Sequence, residues 1–296
     1  MKQRILLISP VRNEVAHFEC VARAVAAQTQ PPAAWVVVDD GSDDGTLDLV
    51  ESLAREIDFM TVVRAPPSPP GGRDRLARAA APRAFNVGLR AGNDDTFTHI
   101  GKLDGDIELP PDYFERLLGQ FEQDPLLGLA GGQLIEPFGS GWKRISIPDT
   151  HVHGAVKLYS RACFTAIGGV REQLGWDTID GIYARMRGFT TRSFPQILAR
   201  HHRHWGSADG TLRGRARHGR CAYITHYGIL WVTLRALKLA RTRPYGLSGI
   251  AFLYGYLSAR ARSVPRVADA EFRRFVKRDL RRRMLKPLSS RLPQYA

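Results

Sequence analysis

Short runs of consecutive apolar residues, each ending in a polar turn cluster and followed by a helical pattern, constrain this chain more than any other feature. Ile5-Leu6-Leu7-Ile8 stops at Ser9-Pro10, and Trp35-Val36-Val37-Val38 runs straight into Asp39-Asp40-Gly41-Ser42. Runs of this length bounded by turn signals read as buried strands. Helical patterns over about 14–28 and 46–57 separate them, and Thr61-Val62-Val63 supplies a third strand. Strand, helix, strand, helix, strand predicts an α/β fold with a mostly parallel central sheet and helices on both faces. Ligands of such sheets lie beyond the carboxyl ends of the strands. Ser9 and the Asp39-Asp40 pair fall at that edge.

Further along, residues 65–72 are rich in Pro and Gly and read as a loop. A helix is expected over 76–91, a strand leading into Asp104-Gly105-Asp106, and a helix over 113–123. Strand character returns over 127–135, residues 136–150 read as an irregular loop, and 156–167 and 179–187 hold further elements. Past residue 210 the pattern turns helical and basic. Residues 1–210 hold 23 Lys and Arg against 26 Asp and Glu, a net −3, whereas 211–296 hold 20 against 3, a net +17. A catalytic domain over 1–210 and a basic helical region over 211–296 are therefore expected. Such a tail suits nucleic acid or anionic lipid. Zinc-finger and aromatic RNA-binding patterns are missing, which argues against nucleic acid.

Cys20, Cys163 and Cys221 are odd in number and far apart, so no disulfide framework or cysteine zinc site is expected. The apolar run at the N-terminus is too short for a signal-peptide core, which favours a cytoplasmic protein. Residues 244–259 are uncharged but fall short of the roughly 20 apolar residues of a spanning helix. Two readings of the tail stay open: an interfacial helix docking on the inner face of the plasma membrane, or a soluble helical cap.

Asp104-Gly105-Asp106 is the sharpest chemical feature. Two carboxylates flank one glycine after an apolar strand, and hard oxygen ligands suit Mg²⁺ or Mn²⁺. Alone, the tripeptide also reads as a surface turn. Asp39-Asp40 can receive N–H groups of a base or hydroxyls of ribose, or simply cap the next helix.

Together, Ser9-Pro10-Val11-Arg12-Asn13-Glu14, then Asp39-Asp40-Gly41-Ser42-Asp43-Asp44-Gly45-Thr46, then Lys102-Leu103-Asp104-Gly105-Asp106, resemble the successive signatures of family 2 glycosyltransferases over about residues 4–210. The resemblance implies the GT-A fold and inverting, metal-dependent transfer of a sugar from a nucleotide diphosphate donor, a UDP-sugar favoured. It implies nucleotide contacts from Ser9, Glu14, Asp39, Asp40 and Asp104, with a basic residue, Arg75 or Arg83, beside the base. Asp104 and Asp106 would hold Mn²⁺ or Mg²⁺. The catalytic base falls on Asp177, where Trp176 replaces the family's Glu, with Asp180 second and a helix N-cap as Asp177's bland alternative. His201, His202 and His204 form a cluster from which His201 is taken as a further metal ligand. Residues 206–210 resemble a loop that closes over donors, and Arg213, Arg215 and Arg217 are candidate phosphate contacts. A glycan or lipid-linked acceptor of the cell envelope or an exopolysaccharide fits the basic tail. The rival reading is a sugar nucleotidyltransferase, whose opening Gly-rich phosphate loop has no counterpart near Ser9.

Overall fold

The computed structural model describes residues 3–67, 76–92, 94–203 and 210–285. The chain divides into two compact units, Met1–Ser207 and Ala208–Ala296. In the first, β1 (Ile5–Val11), α1 (Phe18–Ala26), β2 (Ala34–Asp39), α2 (Thr46–Ala54) and β3 (Met60–Arg64) follow the expected alternation. Then come α3 (Ala80–Gly92), β4 (His99–Leu103), β5 (Ile107–Glu108), α4 (Tyr113–Gln123), β6 (Leu127–Phe138) and β7 (Gly141–Arg144). The unit closes with β8 (Val156–Ser160), α5 (Arg161–Ala166), α6 (Trp176–Met186) and β9 (Thr190–His201).

The described strands form one sheet in the order β3-β2-β1-β4-β8-β6-β9-β5, with β7 on β6. β3, β2, β1 and β4 run parallel. Beyond β4 the sheet is mixed. β8 is antiparallel to β4 and β6, β7 to β6 and β5 to β9, while β6 and β9 are parallel. Half of the pairings are thus antiparallel, which corrects the expectation of a mostly parallel sheet. A parallel neighbour needs a long crossover, and the helical crossovers of the first hundred residues provide it. Later connections such as the β6–β7 hairpin reverse the chain instead. The loop expected over 136–150 is replaced in part by that hairpin. Its strand β7 is exposed along its length and holds a single apolar side chain, Trp142, too few to make a periodic signal.

α1 buries Phe18, Val21, Ala22 and Val25, one face of a helix. Phe18 packs on Trp35 with ring centroids 5.8 Å apart. Each such large side chain contributes about 1.5–3 kcal/mol by leaving water. α1 begins four residues later than expected because Glu14 is drawn into a turn, where its carbonyl accepts the N–H of His17 and Phe18.

In the second unit, α7 (Thr211–Ile224), α8 (Ile229–Leu239), α9 (Leu247–Ala261) and α10 (Ala270–Leu285) follow one another. α7 and α9 touch backbone to backbone: a Cβ on Gly255 would lie 1.8 Å from the Ala216 carbonyl oxygen. Ala222, Val232, Ala236, Leu239, Phe252 and Tyr256 form its core. Among the described residues no helix is long and apolar enough to cross a membrane.

Candidate active site

The parallel register of β2, β1 and β4 brings three strand ends to one edge: Asp39, Val11 and Leu103. The loops beyond them are stitched together. The Asp40 N–H donates to the Val11 carbonyl at 2.9 Å, and Arg12 Nη1 donates to the Asp40 carbonyl at 2.8 Å. Asn13 Nδ2 donates to Asp43 at 2.7 Å, and the Glu14 N–H to Thr46 Oγ1 at 2.7 Å. Asn13 holds φ +56°, a left-handed conformation that asparagine tolerates better than most residues.

Asp39 and Asp40 divide their labour. The Asp39 carboxylate accepts the backbone N–H of Gly41 at 3.1 Å and of Ser42 at 3.2 Å, so it orders the loop. The Asp40 carboxyl is half-buried at the edge. Burial pushes its pKa up, while Arg12 and then Arg83 pull it down. Arg83 thus lies within electrostatic reach of Asp40, and its Nε is 3.9 Å from Glu172. Arg75, His204 and residues 206–209 of the loop lie outside the described residues. Ser9 is fully buried, and its hydroxyl accepts Trp35 Nε1 at 3.0 Å. Side chains alternate along β1, and the Ser9 hydroxyl is committed to the core, which leaves the Ser9 main chain for the expected nucleotide contact.

Glu14 lies against the Asp104-Gly105-Asp106 turn. A Cβ on Gly105 would come within 3.0 Å of Glu14 Cγ and of Val11 Cγ1, so glycine lets Glu14 approach without crowding. Arg203 Nη2 donates to Glu14 Oε2, and Arg203 Nε is 3.8 Å from Asp106 Oδ2. Burial, then the negative charge of Asp106, raises the Glu14 pKa to about 8 against the pull of Arg203. Burial also pushes Asp106 up, but His201 and Arg203 outweigh it and hold the carboxyl below its usual value. Asp104 goes the other way: burial raises it despite Lys102, whose ammonium donates to it.

His201 Nε2 lies 3.2 Å from Asp106 Oδ2. Two donors about 2.1 Å from one cation lie roughly 3.0–3.4 Å apart, so this pair matches the bite of a divalent ion. The crowding of Glu14, Asp104 and Asp106 also favours a cation nearby. The donor set fits the expected metal, and an imidazole suits Mn²⁺ better than Mg²⁺, which prefers oxygen. His202 turns elsewhere, with Nε2 2.9 Å from Glu108 Oε2.

Lys102 links this turn to the candidate base. Its Nζ also donates to the Gly154 carbonyl at 2.8 Å, and a Cβ on Gly154 would lie 3.3 Å from Asp177 Oδ2. Gly175, not Asp177, caps α6, and the cap makes no side-chain hydrogen bond. Among the described residues the Asp177 carboxylate takes no hydrogen bond. Asp180 is instead fully buried, 2.8 Å from Lys157 Nζ and hydrogen-bonded by Tyr159. That spent carboxylate corrects Asp180 as the second base candidate. Trp176 lies under both ammonium groups, 5.3 Å from Lys102 Nζ and 5.0 Å from Lys157 Nζ. Arg213, Arg215 and Arg217 lie on α7 of the second unit.

Sequence reasoning missed Lys102, Arg203, Arg12 and His153. Lys102 had a signal: a lysine inside a strand buried on both faces needs a partner. His153 is buried, its pKa lowered to about 3 by burial and then by His151, within electrostatic reach of Asp177 and His201.

Several solved structures share the fold of this chain. TarS of S. aureus is 14% identical with a TM-score of 0.53, covering 89% of this chain and 44% of its own. The mannosyltransferase PcManGT of Pyrobaculum calidifontis, solved with GDP-Man and Mn²⁺, is 17% identical with a TM-score of 0.55, covering 98% and 83%. GalNAc-T7, solved with UDP, GalNAc and Mn²⁺, is 15% identical with a TM-score of 0.58, covering 93% and 56%. The chain thus spans less than half of TarS. At these identities the likeness establishes the GT-A fold. No curated protein matches the chain in sequence. The profile of glycosyl transferase family 2 does match, over residues 7–162, more than half of the chain, and the chain belongs to that family.

Proposed function

We propose that the protein is an inverting, divalent-metal-dependent glycosyltransferase that moves a sugar from a nucleotide diphosphate, a UDP-sugar by preference, onto an acceptor hydroxyl. The observation that carries this is the gathering of Asp40, Asp106 with His201, and Asp177 around one sheet edge, with Lys102 bonding Asp104 on one side and the carbonyl of Gly154, beside Asp177, on the other. Asp40 receives N–H groups of the base, and Arg83 flanks it. Asp106 and His201 would hold Mn²⁺, with Asp104 beside them as a ribose or metal contact. Such an ion would supply positive charge to offset that of the departing nucleoside diphosphate. Asp177 takes the proton from the acceptor hydroxyl, whose oxygen then attacks the anomeric carbon. The bond from that carbon to the diphosphate breaks on the opposite face, and the nucleoside diphosphate leaves. Membership of the family weighs against the rival nucleotidyltransferase, which would release pyrophosphate from a nucleoside triphosphate.

Thermal shift with UDP- and GDP-sugars in the presence of Mn²⁺ finds the donor, because a ligand that binds only the native state raises apparent stability. Asp177→Asn is expected to cut turnover by about 10²–10⁴-fold, the usual contribution of a general base, with donor-induced stabilisation intact. Near-normal turnover in that variant rules out Asp177 as base.

The second unit supports a further part of the reading, docking on an anionic membrane surface. Leu230, Leu234 and Leu237 on α8, and Leu247, Ile250, Tyr254 and Leu257 on α9, are all exposed. Their spacings of three and four place each set on one helix face. Arg235, Lys238, Arg241, Arg243, Arg260 and Arg262 accompany them in a region of net charge +17. Apolar faces amid arginine suit in-plane binding to anionic lipid. Peripheral docking at the cytoplasmic face and a lipid-linked acceptor follow from this reading.

A further inference from the structure

A second cluster of metal-binding atoms lies beside the proposed catalytic cation and differs from it in chemistry. Cys20 Sγ, Glu108 Oε2 and a ring nitrogen of His202 lie within 4.8 Å of one another. His202 Nε2 is 3.5 Å from Cys20 Sγ and 2.9 Å from Glu108 Oε2. One ring nitrogen therefore faces both other groups at once, which a single N–H serves poorly. A tetrahedral Zn²⁺ with Zn–S about 2.3 Å and Zn–N about 2.0 Å sets its sulfur and nitrogen ligands roughly 3.5 Å apart. The nitrogen–oxygen edge needs to open by a few tenths of an ångström. His17 stacks on the His202 ring at 5.6 Å, and Trp142 meets it edge-on at 5.9 Å, so the ring is fixed between aromatic neighbours. An open groove lined by Cys20, Glu108, Arg23 and Arg200 gives an ion access from solvent.

The geometry points to a zinc site formed by Cys20, Glu108 and His202, with the fourth position open to water. Thiolate and imidazole select Zn²⁺ over Mg²⁺ and Mn²⁺, so the two cation sites discriminate by donor softness. The ion ties α1 to the β5–β9 pair. β5 and β9 meet at Ile107 opposite His201 and Glu108 opposite Arg200, and the His202 N–H donates to the Asp106 carbonyl at 3.0 Å. Zinc at this position clamps the two strands that present Asp106 and His201.

Cobalt substitution tests the site, because only a thiolate ligand gives a sulfur-to-cobalt charge-transfer band in the near ultraviolet. The full-length protein, stripped with chelator, is titrated with Co²⁺ and then Zn²⁺. One equivalent of Co²⁺ should raise the band, and Zn²⁺ should bleach it. Cys20→Ser should abolish the band, and His202→Gln should weaken Zn²⁺ binding by at least the roughly 10–100-fold that loss of even an outer-shell partner costs. Asp106→Asn, which disables the proposed catalytic cation site, should leave the band in place and so separates the two sites. Absence of a band in the wild-type protein, or a band that survives Cys20→Ser, overturns the proposal whatever the fate of the glycosyltransferase reading.

Discussion

The two units use similar apolar residues in opposite ways. In the first, the core runs unbroken from Ile5 and Leu7 through Phe18 and Trp35 to Leu134 and Ala199. Among the described residues, four of its large apolar side chains are exposed, Val15, Leu126, Phe138 and Trp142, against ten in the much shorter second unit. Its polar groups are spent inward as well, as the Lys157–Asp180 pair shows. The second unit has a small core and leaves whole helix faces bare. A sheet with helices packed on it is complete without further partners, and what remains at its edge is free for chemistry. Helices that pack through Gly255 and small neighbours turn their large side chains outward and call for something to cover them.

The sharpest way to break this contrast is to remove the chemistry from the first unit alone. Asp106→Ala is expected to abolish metal-dependent transfer. Losing a metal's charge stabilisation costs several kcal/mol, a drop in rate of about 10³-fold or more. Chelation of the wild-type protein should match it, and steady-state release of nucleoside diphosphate measures both. Residual activity in Asp106→Ala that still responds to Mn²⁺ would move the cation elsewhere.

Asp177 and Asp180 give the next largest effect and separate function from stability within one helix. Asp180→Asn leaves the fully buried Lys157 ammonium without its counter-charge, and breaking such a pair costs about 3–5 kcal/mol. Thermal melts should show a large fall for Asp180→Asn and almost none for Asp177→Asn, while turnover falls for the latter. Equal melting temperatures for the two variants would undo the assignment of one carboxylate to the core and the other to the site.

Acid should weaken the first unit in a definite window. Burial lowers the pKa of His99 to about 4 and of His153 to about 3. An unfolded histidine titrates near 6.5. Between these values the unfolded chain holds more protons, so stability rises with pH. The contribution is complete above about pH 6.5 and is lost as pH falls through 4 and then 3. At 1.36 kcal/mol per pKa unit, His99 alone accounts for on the order of 3 kcal/mol. His99→Gln should flatten the dependence of melting temperature on pH between 6.5 and 4; an unchanged slope counts against the buried neutral ring.

These contrasts also mark where the sequence was legible. β1, β2, β3 and α4 fall where the apolar periodicity puts them, because each buries a continuous run or one full helix face. The carboxylates of Asp40, Asp104 and Asp106 were readable because a strand end followed by Asp and Gly places them at a known edge. Strand direction past β4 was not readable, since periodicity carries no direction. The roles of Asp39 and Asp180 were hidden for a different reason: identical carboxylates differ only by partners distant in sequence, such as Lys157. The inward turn of the Ser9 hydroxyl was not readable, because a strand-end serine faces the cleft or the core by alternation alone. The zinc donors, 20, 108 and 202, share no local motif, and only the β5–β9 pairing and α1 bring them together.

The smallest change in stability should come from the bare face of the second unit, and it carries the most information about that unit. Leu234→Ser and Ile250→Ser remove side chains that are 51% and 63% exposed. Surface substitutions of this kind usually shift stability by less than about 0.5 kcal/mol. If the face docks on anionic lipid, each loses about 1.5–3 kcal/mol of membrane burial, roughly a tenfold or larger loss in partitioning. Co-sedimentation with phosphatidylserine vesicles reads the loss, and salt should weaken binding of the wild type because arginine attraction is screened. Transfer to a soluble acceptor should be unchanged. Vesicle binding that survives both substitutions, or none in the wild type, would leave the bare helices to a partner of another kind, and the contrast between the units would then rest on packing alone.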